Sequence, residues 1–478
     1  MRVLMVASEC APFVKTGGLA DVVGALPAAL SPLGVDARVM LPAYPPLFPL
    51  LPKGKLVAQF DDLPGGPGKV VLVKAKGIEL LLLDAPQLFD RPSGLYGDEN
   101  GVDWTDNALR FGALAQAAAR VAMGAIEGYA PDVLHAHDWQ AALAPVYLKM
   151  AGAQRPKTVT TIHNIAFQGR FDPSQMGPLQ LKQDWFHPEG LEFHGDLGFL
   201  KGGLAYSDLI TTVSPTYAYE ILTPEFGMGL EGVLQARVGA LSGLLNGIDT
   251  NAWDPAKDPE LTSPYDRRSL KRKSKNRATV AERFGLETNS AGPLFCVISR
   301  LTEQKGLDVL LEAVPHLVES GAQLAVLGNG APELEQGFRD AAARHPGQVG
   351  TYIGYDEGLS HLLQGGSDAI VIPSRFEPCG LTQLYALRYG TLPVVARTGG
   401  LADTVIDANA AAIDAGVATG FVSQGITPNA LRHVIDRVTL AYNDTKLWQS
   451  MQRNAMNQQV DWGTSAAGYA GLYKTLSA

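Results

Sequence analysis

The chain has 478 residues, of which 46% are hydrophobic and 18% are charged, a balance typical of globular proteins that fold in water. No apolar stretch approaches the ~20 residues of a membrane-spanning helix, and a formal net charge of −9 argues against a nucleic-acid-binding surface over the whole protein. The three cysteines, Cys10, Cys296 and Cys379, lack the spacing of a metal site or a disulfide framework, which predicts a protein of the reducing cytoplasm.

Strand-like apolar runs alternate with helix-like stretches along the chain, beginning with Val3–Ala7. Because Glu9 interrupts the apolar sequence there, we interpret this N-terminus as a first strand rather than a signal peptide. The other strand-like runs are 70–73, 80–83, 133–136 and 158–162 in the first half, and 294–298, 324–327, 369–372 and 392–395 in the second. This alternation predicts an α/β protein whose parallel sheets are covered by helices on both faces.

A region without sustained periodicity, 241–264, interrupts the alternation and contains three prolines, which indicates a hinge near residue 245. The predicted domains are residues 1–245 and 246–455, followed by a C-terminal helix at 456–478. Two doubly wound domains that face each other would place the carboxyl ends of both sheets around one cleft.

One hexapeptide, Thr-Gly-Gly-Leu-Ala-Asp, occurs at residues 16–21 and again at 398–403, preceded by Lys15 and Arg397 respectively. Each copy lies between a strand-like run and a helix-like stretch, which predicts two halves built alike. Glycine-rich turns of this kind bind phosphate, because glycine admits close approach and the first N–H groups of the next helix point at the anion. The alternative for the second copy is that two strand-to-helix units converged on one turn chemistry.

Arg300 and Lys305 follow directly on the strand-like run 294–298. Two cations at a sheet edge suit a diphosphate, because fixed positive charges and helix N-termini can stabilise a departing nucleoside diphosphate without a metal. The alternative is an ordinary strand-to-helix loop with a surface arginine and lysine.

Residues 373–382 follow another strand-like run and lead into a helix-like stretch. Glu377 could stabilise positive charge at a sugar anomeric carbon or orient a sugar hydroxyl, and the backbone N–H groups of Gly380–Thr382 could hold phosphate. The alternative is a glutamate that caps the start of a helix. Only one carboxylate is evident in this segment, so a two-carboxylate hydrolase is not supported.

Polar residues close two further strand-like runs, at 135–138 and 161–164, where they would be good partners for sugar hydroxyls. A metal site at His135 and His137 would need a third ligand that the sequence does not identify, and we expect His137 to be a structural histidine with satisfied hydrogen bonds. Tyr355, on a loop after a strand, could stack on a base or pack on the surface. The basic run 267–277 predicts a solvated helix face, the alternative being contact with a partner or polymer.

Four motifs together resemble bacterial glycogen synthases and plant starch synthases: Lys15–Val23, His137–Gln140, Ser299–Leu301 with Gln304–Gly306, and Pro373–Gln383. The resemblance runs from residue 1 to about 473. It implies a GT-B glycosyltransferase, with two Rossmann-like domains and a deep cleft, that transfers glucose from ADP-glucose to the non-reducing end of an α-1,4-glucan with retention of configuration. It implies no metal, no cofactor, no nucleic-acid or membrane partner, and a last helix that crosses back onto the first domain.

The resemblance also assigns roles to individual residues. The catalytic set would be Glu377 beside the transferred glucose, His163 at the anomeric centre or the 6-hydroxyl, and Arg300 and Lys305 at the diphosphate. The residues expected to bind the sugar nucleotide are Lys15, Gly18, Asp21, Tyr355, Cys379, Gly380, Leu381 and Thr382. Those expected to bind glucose or acceptor hydroxyls are Asp138, Asn164 and Asn246.

Two positions depart from related patterns. Many retaining GT-B enzymes have a second glutamate eight positions after the first, where this chain has Tyr385, which argues for the glycogen and starch synthase branch. Glu303 stands where that branch has a tryptophan, beside the expected diphosphate site. The alternatives are a UDP-glucose-dependent glucosyltransferase and a non-catalytic glucan-binding protein, although the latter would be expected to lose a cleft cation or Glu377.

Overall fold

A computed structural model describes residues 1–477, which form two compact units. The first unit comprises Met1–Asn246 and the chain from Trp462 onward, and the second comprises Gly247–Asp461. The ligands that the sequence analysis expects at each domain stay predictions.

The described residues of the first unit form twelve strands. They are β1 Arg2–Val6, β2 Asp36–Pro42, β3 Lys55–Leu63, β4 Gly66–Ala75, β5 Ile78–Asp84, β6 Val133–His137, β7 Lys157–Ile162, β8 Arg170–Phe171, β9 Glu192–Phe193, β10 Asp196–Gly198, β11 Leu209–Thr212 and β12 Leu241–Gly243. Nine form one sheet in the order β12-β11-β7-β6-β1-β2-β5-β4-β3, and the short strands form a second sheet, β8-β10-β9.

The large sheet is parallel except at one edge, where β4 is antiparallel to both β3 and β5. The expectation of a wholly parallel sheet is therefore wrong for the run 70–73, which lies in β4. The reason is the connection: only Lys76 and Gly77, both with positive φ, join β4 to β5. A two-residue turn of this kind connects antiparallel strands, because a parallel crossover needs a dozen residues or more.

Eight α-helices lie in residues 1–246: α1 Gly18–Leu30, α2 Pro86–Phe89, α3 Asn107–Arg120, α4 Asp138–Ala141, α5 Leu143–Met150, α6 Phe199–Tyr206, α7 Pro215–Glu220 and α8 Glu231–Ala236.

The second unit has one six-stranded sheet, and every neighbouring pair in it is parallel. Its strands are β13 Leu294–Ile298, β14 Gln323–Gly328, β15 Val349–Ile353, β16 Ala369–Ile372, β17 Leu392–Ala396 and β18 Phe421–Ser423. Its helices are α9 Lys273–Phe284, α10 Leu307–Glu319, α11 Pro332–Arg344, α12 Glu357–Gly366, α13 Thr382–Tyr389, α14 Gly399–Thr404, α15 Ala410–Asp414, α16 Pro428–Asn443 and α17 Thr445–Met456.

The last helix, α18 Trp462–Ser477, belongs to the first unit and packs against α1. The Tyr473 hydroxyl lies 2.7 Å from Nδ1 of His135, the third residue of β6. This hydrogen bond ties the C-terminal helix to the centre of the large sheet.

Alternate residues of a central strand enter different cores. In β13, Phe295 belongs to one hydrophobic cluster, with helices α10 and α16, whereas Cys296 belongs to another, with helices α9 and α12. Successive side chains of a strand point to opposite faces, so both faces of this sheet are covered. The predicted doubly wound architecture is confirmed for this unit.

Each of the two large sheets reverses its winding direction at one point. In the second unit the chain runs outward from β13 to β14 and β15, then returns to the other side of β13 with β16. In the first unit the same reversal separates β1 from β6. Loops diverge where the winding reverses, so ligands of doubly wound sheets bind at the carboxyl ends of these strands.

Candidate active site

The loops at the two reversal points carry most of the predicted site residues. In the first unit, residues 15–21 follow β1 and begin α1, and Asp138 follows β6. In the second unit, residues 300–305 follow β13, and Glu377 follows β16. Ligands of doubly wound sheets bind at the carboxyl ends of the strands where the winding reverses, which we call the strand-end rule. By this rule the first-unit residues and the second-unit residues each lie at the expected ligand crevice of their own unit.

A buried carboxylate, Glu9, organises the loop between β1 and α1. It accepts hydrogen bonds from the Thr16 N–H at 2.5 Å, the Thr16 hydroxyl at 2.6 Å and the Gly17 N–H at 3.3 Å. The Tyr96 hydroxyl donates to the same carboxylate. Among the described residues the N–H of Gly18, at the start of α1, has no acceptor.

Open space surrounds the two glycines of this loop. A Cβ added to Gly17 or to Gly18 would have no atom within 4 Å, and the φ of Gly17, −156°, suits any residue. Neither packing nor backbone strain within the protein explains these glycines, whereas close approach of a ligand to the Gly18 N–H would. Beside them Lys15 Nζ lies 2.7 Å from Asp21 Oδ1, a half-exposed ion pair that contributes little by itself.

The ends of β6 and β7 are linked through Asp138 and two histidines. Asp138 has a φ of 57°, and its Oδ1 accepts the backbone N–H of His163 at 2.7 Å. His163 Nε2 lies 3.0 Å from His137 Nδ1. His137 Nε2 is buried without a partner in the described chain, so the expectation of a fully satisfied histidine is wrong for one of its nitrogens.

Burial shifts the ionisation of this group. It lowers the pKa of His163 and of His135 to about 3, and it lowers the pKa of His137 as well. It raises the pKa of Asp138 to about 7, against the opposing effect of the His163 N–H. The histidines are therefore neutral at pH 7 and do not act as cations. Both ring nitrogens of His135 have partners within the protein, so only His137 and His163 can act as hydrogen-bond donors or acceptors toward a sugar.

The two predicted asparagines differ in how much of their amide is engaged. Asn164 Oδ1 accepts the Ala166 N–H at 3.0 Å, which fixes the loop after β7. Asn246, which follows β12, is buried, and its Oδ1 has no hydrogen-bond donor in the described part of the chain. A buried acceptor is costly to leave unpaired, and a sugar hydroxyl could supply the missing donor.

In the second unit, Lys305 and Glu377 form a largely buried ion pair. Lys305 Nζ lies 2.5 Å from Glu377 Oε2, and both side chains are less than one-fifth exposed. The Ser374 hydroxyl donates to the same oxygen at 2.9 Å. The sequence patterns brought Lys305 and Glu377 to one edge but did not indicate that they would pair.

The second copy of the hexapeptide supports the Glu377 loop. Gly399 has a φ of 43°, and a Cβ on Gly399 or Gly400 would collide with the carbonyl oxygens of Glu377 and Cys379 respectively. The Gly400 N–H donates to the carbonyls of Glu377 at 3.1 Å and Pro378 at 3.2 Å. The expectation of a second phosphate-binding turn is therefore wrong, because the loop already occupies that N–H group and the space before α14.

Unlike Lys305 and Glu377, Arg300 and Tyr355 have exposed side chains. The Arg300 side chain is exposed and makes no hydrogen bond or ion pair with residues 1–477. Tyr355 is 78% exposed, and its hydroxyl donates to Glu357 at 3.3 Å. Stacking of Tyr355 on a base stays a prediction.

The segment before α13 combines buried and open groups. Gln383 Nε2 donates to the carbonyls of Cys379 at 3.0 Å and Gly380 at 2.9 Å. Gly380, Leu381 and Thr382 are partly exposed at the helix start. Their N–H groups stand where an anion would meet the positive end of the helix dipole.

The basic run 267–277 is only in part a solvated face. Lys273 is buried, and its Nζ donates to the carbonyls of Gln364 and Gly365, both at 3.0 Å, and to the Thr391 hydroxyl at 2.7 Å. Burial lowers its pKa to about 7. Arg277 lies 3.0 Å from Asp368. The expectation was wrong for these two residues because a helix that covers a sheet turns one side inward.

Three residues of the site were not indicated by the sequence patterns: Glu9, Tyr96 and Ser374. Glu9 lies three residues after β1, and Ser374 lies two residues after β16, so their positions near the carboxyl ends of strands could have identified both. Tyr96 lies in an irregular segment, 87 residues from the carboxylate it contacts, and no local pattern indicates it.

Neither a metal-binding cluster nor a membrane-spanning helix occurs among the described residues. No group of three or more histidine, cysteine, aspartate or glutamate side chains is arranged to hold a metal ion there. No helix in residues 1–477 is both long and apolar enough to cross a membrane.

Comparisons with known proteins match the whole chain. The family model described as starch synthase catalytic domain matches residues 2–236, and the one described as glycosyl transferases group 1 matches residues 280–458. The chain is 60% identical over 476 residues to a glycogen synthase of Roseobacter denitrificans, covering 100% of this chain and 99% of the relative. It is 54% identical to glycogen synthase 1 of Rhizobium meliloti, covering 100% of each.

Solved structures match over the same length. The catalytic domain of starch synthase IV from Arabidopsis thaliana, bound to ADP and acarbose, superposes with a TM-score of 0.88 at 30% identity and covers 99% of each chain. A sucrose-phosphate synthase from Thermosynechococcus elongatus shares the fold, with a TM-score of 0.62 at 16% identity.

Two doubly wound units and these matches define a GT-B glycosyltransferase, and specifically a hexosyltransferase. The fold class and enzyme class expected from the sequence are confirmed. The chain belongs to the glycogen synthase family. This membership confirms the resemblance and favours glycogen synthesis over a UDP-glucose transferase or a non-catalytic glucan-binding protein.

Proposed function

We propose that the enzyme transfers glucose from ADP-glucose to the non-reducing end of an α-1,4-glucan, with retention of the anomeric configuration and release of ADP. The largely buried ion pair of Lys305 and Glu377 at the reversal point of the second unit carries this proposal, because one group suits a diphosphate and the other a sugar cation. The solved starch synthase IV bound to ADP and acarbose supports an adenine nucleotide and a saccharide as ligands.

Fixed charges would stabilise the departing diphosphate without a metal. Lys305 has three N–H donors, and the Glu377 contact uses one of them, which leaves two for phosphate oxygens. Arg300 is exposed and free to add a second cation. The N–H groups from Cys379 to Thr382, at the start of α13, would add donors of the kind that helix N-termini provide.

The first-unit residues would act on both substrates. Lys15 and the Gly18 N–H would contact the sugar nucleotide, and Asp21 would hold Lys15 in place. His163, a neutral imidazole, would face the anomeric centre or the 6-hydroxyl of glucose. The residues that would bind sugar hydroxyls are Asp138, Asn164 and Asn246. In the second unit, Tyr355 would border the adenine with its exposed ring.

In the reaction, the bond between the anomeric carbon and the diphosphate oxygen breaks, and a bond from that carbon to the glucan hydroxyl oxygen forms. Glu377 would stabilise the positive charge that develops on the sugar. Retention results if the hydroxyl attacks the face from which ADP departs and passes its proton to the departing phosphate. It also results from two inversions through a short-lived covalent intermediate. The three cysteines are buried and form no disulfide among residues 1–477, which fits a cytoplasmic location.

The test is transfer of labelled glucose from ADP-glucose onto glycogen in the presence of a metal chelator, with UDP-glucose in parallel. We expect incorporation from ADP-glucose that the chelator leaves unchanged. A preference for UDP-glucose would overturn the donor, and inhibition by the chelator would overturn metal independence. Absence of transfer from both donors would overturn the proposed reaction.

A further inference from the structure

The two oxygens of the Glu377 carboxylate have different surroundings. Oε2 accepts hydrogen bonds from Lys305 Nζ at 2.5 Å and from the Ser374 hydroxyl at 2.9 Å. Oε1 has no hydrogen-bond partner among residues 1–477. A carboxylate that is held through one oxygen presents the other to a ligand in a defined direction.

Ser374 is built into the protein and is not a surface residue. It is fully buried, at 0% exposure, and follows β16 after a single proline. A carboxylate can only accept, so the hydroxyl is the donor of this hydrogen bond. A buried hydroxyl that donates to a buried carboxylate makes a charge-assisted bond, which is stronger than one between neutral groups.

The backbone around Ser374 is held by other contacts. The next residue, Arg375, pairs with Asp308 through two hydrogen bonds of 2.7 Å. The Glu377 carbonyl accepts the Gly400 N–H at 3.1 Å. These contacts fix the loop on both sides of Ser374 without its hydroxyl, so removal of the hydroxyl should free the carboxylate and leave the loop in place.

We propose that Ser374 is a positioning residue of the transfer reaction: its hydroxyl anchors Oε2 of Glu377 so that Oε1 faces the anomeric centre. This inference rests on the proposed role of Glu377. Lys305 is not a sufficient anchor alone, because a diphosphate bound to its two other N–H donors attracts the same charge and weakens the contact with Glu377. The neutral Ser374 hydroxyl does not respond to the phosphate in this way, so it keeps Oε2 in place while the donor is bound.

The experiment measures kcat and KM for glucosyl transfer in Ser374→Ala, Ser374→Thr, Glu377→Ala and Ser423→Ala. Ser423 is the matched control, a buried serine of the same unit whose hydroxyl donates to the Gly425 carbonyl at 2.7 Å. We expect Ser374→Ala to lower kcat on the order of 100-fold, with the donor KM changed less than about threefold. Ser374→Thr, which keeps a hydroxyl, should recover most of kcat, and Ser423→Ala should match the wild type.

A double-mutant cycle separates positioning from packing. If Ser374 acts through the carboxylate, Ser374→Ala should have no further effect on kcat once Glu377 is alanine. An equal loss of kcat in both backgrounds would overturn the inference in favour of a packing role. If thermal unfolding shows that Ser374→Ala does not fold, Ser374→Cys replaces it, since a thiol is close in size and a weak donor.

The two proposals fail differently. Near-normal turnover in Glu377→Ala would overturn the role of Glu377 and, with it, the positioning role of Ser374. An inactive Glu377→Ala together with a fully active Ser374→Ala would overturn the positioning role alone.

Discussion

The hexapeptide Thr-Gly-Gly-Leu-Ala-Asp begins helix α1 in the first unit and helix α14 in the second. In the first copy, α1 is 13 residues long, Gly18 is exposed, and no atom lies within 4 Å of a Cβ built on it. In the second copy, α14 has six residues, and Gly399 and Gly400 are buried against the backbone of the Glu377 loop. The first copy leaves space for a ligand, and the second gives space to another loop.

The difference shows that the surrounding loops determine whether a glycine-rich turn is open to a ligand or packed against the protein. After β1, the chain takes residues 7–17 to reach α1, and Glu9 accepts the N–H groups of Thr16 and Gly17 just before the helix starts. After β17, only Arg397 and Thr398 precede α14, which brings the two glycines directly under the loop from the neighbouring strand β16. The same residues thus leave space beside Gly17 and Gly18 in one unit and support the Glu377 loop in the other.

The largest expected effect is at the packed copy. Gly400→Ala puts a methyl group into the Cys379 carbonyl. The carbonyl belongs to the backbone and the methyl group is attached directly to the backbone, so neither can move without a backbone shift. We expect the free energy of unfolding to fall by about 3 kcal/mol or more, and glucosyl transfer to be lost as the Glu377 loop shifts. Chemical denaturation and the transfer assay measure the two effects. Wild-type stability and activity in this variant would remove the distinction between the copies.

Gly18→Ala should give the opposite result. The site has room for a methyl group, and alanine is a better helix former, so the free energy of unfolding should change by less than about 1 kcal/mol. The methyl group would stand where the diphosphate approaches, and kcat/KM for the donor should fall roughly 10- to 100-fold. Steady-state kinetics with the donor varied provides the measurement, and wild-type kinetics would show that no ligand approaches Gly18.

The sequence predicted the parts of the fold that local patterns encode. Central parallel strands are apolar throughout, so runs such as 294–298 and 369–372 were recognised as strands and correspond to β13 and β16. The strand-end rule then placed Lys305 and Glu377 at one edge. Strands at the edges mix polar and apolar residues, which hid β3, and a two-residue turn reversed the direction of β4.

The role of the second hexapeptide was beyond such patterns. Its partners are the carbonyls of Glu377 and Pro378, and only the packed position of the neighbouring loop reveals that these two carbonyls accept the Gly400 N–H. Lys273 is a similar case. A run of basic residues predicts a solvated helix face, and only the packing of the helix shows that this lysine is buried. The sequence therefore locates candidate groups at sheet edges, whereas packing decides which are open to a ligand.

The cations before the two copies offer a smaller contrast. Lys15→Met should raise the KM for the donor roughly 10-fold, because a charge-assisted hydrogen bond to phosphate is lost. Arg397→Met should change it less than about twofold, since the turn that follows Arg397 has its N–H group and its space taken by the Glu377 loop. The pair is compared in one donor titration. Equal effects at both positions would restore the view of two equivalent phosphate turns.

A last contrast lies within the first unit, between the open Gly18 and the buried group at the end of β6. Burial lowers the pKa of His135 and His163 to about 3, so their contribution to stability is complete above the unfolded value near 6.5 and is lost as pH falls toward 3. Asp138 acts in the opposite sense, because its pKa of about 7 means that the folded state keeps a proton that the unfolded state has released. Between pH 4 and 6.5, Asp138 thus offsets one histidine.

Asp138→Asn removes that offset. The unfolding free energy of the variant should fall more steeply than that of the wild type as pH decreases from 6.5 to 4, by about 1.4 kcal/mol per pH unit. Above pH 7 the two stability curves should run parallel, because Asp138 is then ionised in both states of the wild type. Denaturant unfolding at pH 4.5, 5.5, 6.5 and 8 measures the difference. Parallel curves over the whole range would mean that Asp138 is ionised in the folded protein, and that the end of β6 is as open to water as Gly18.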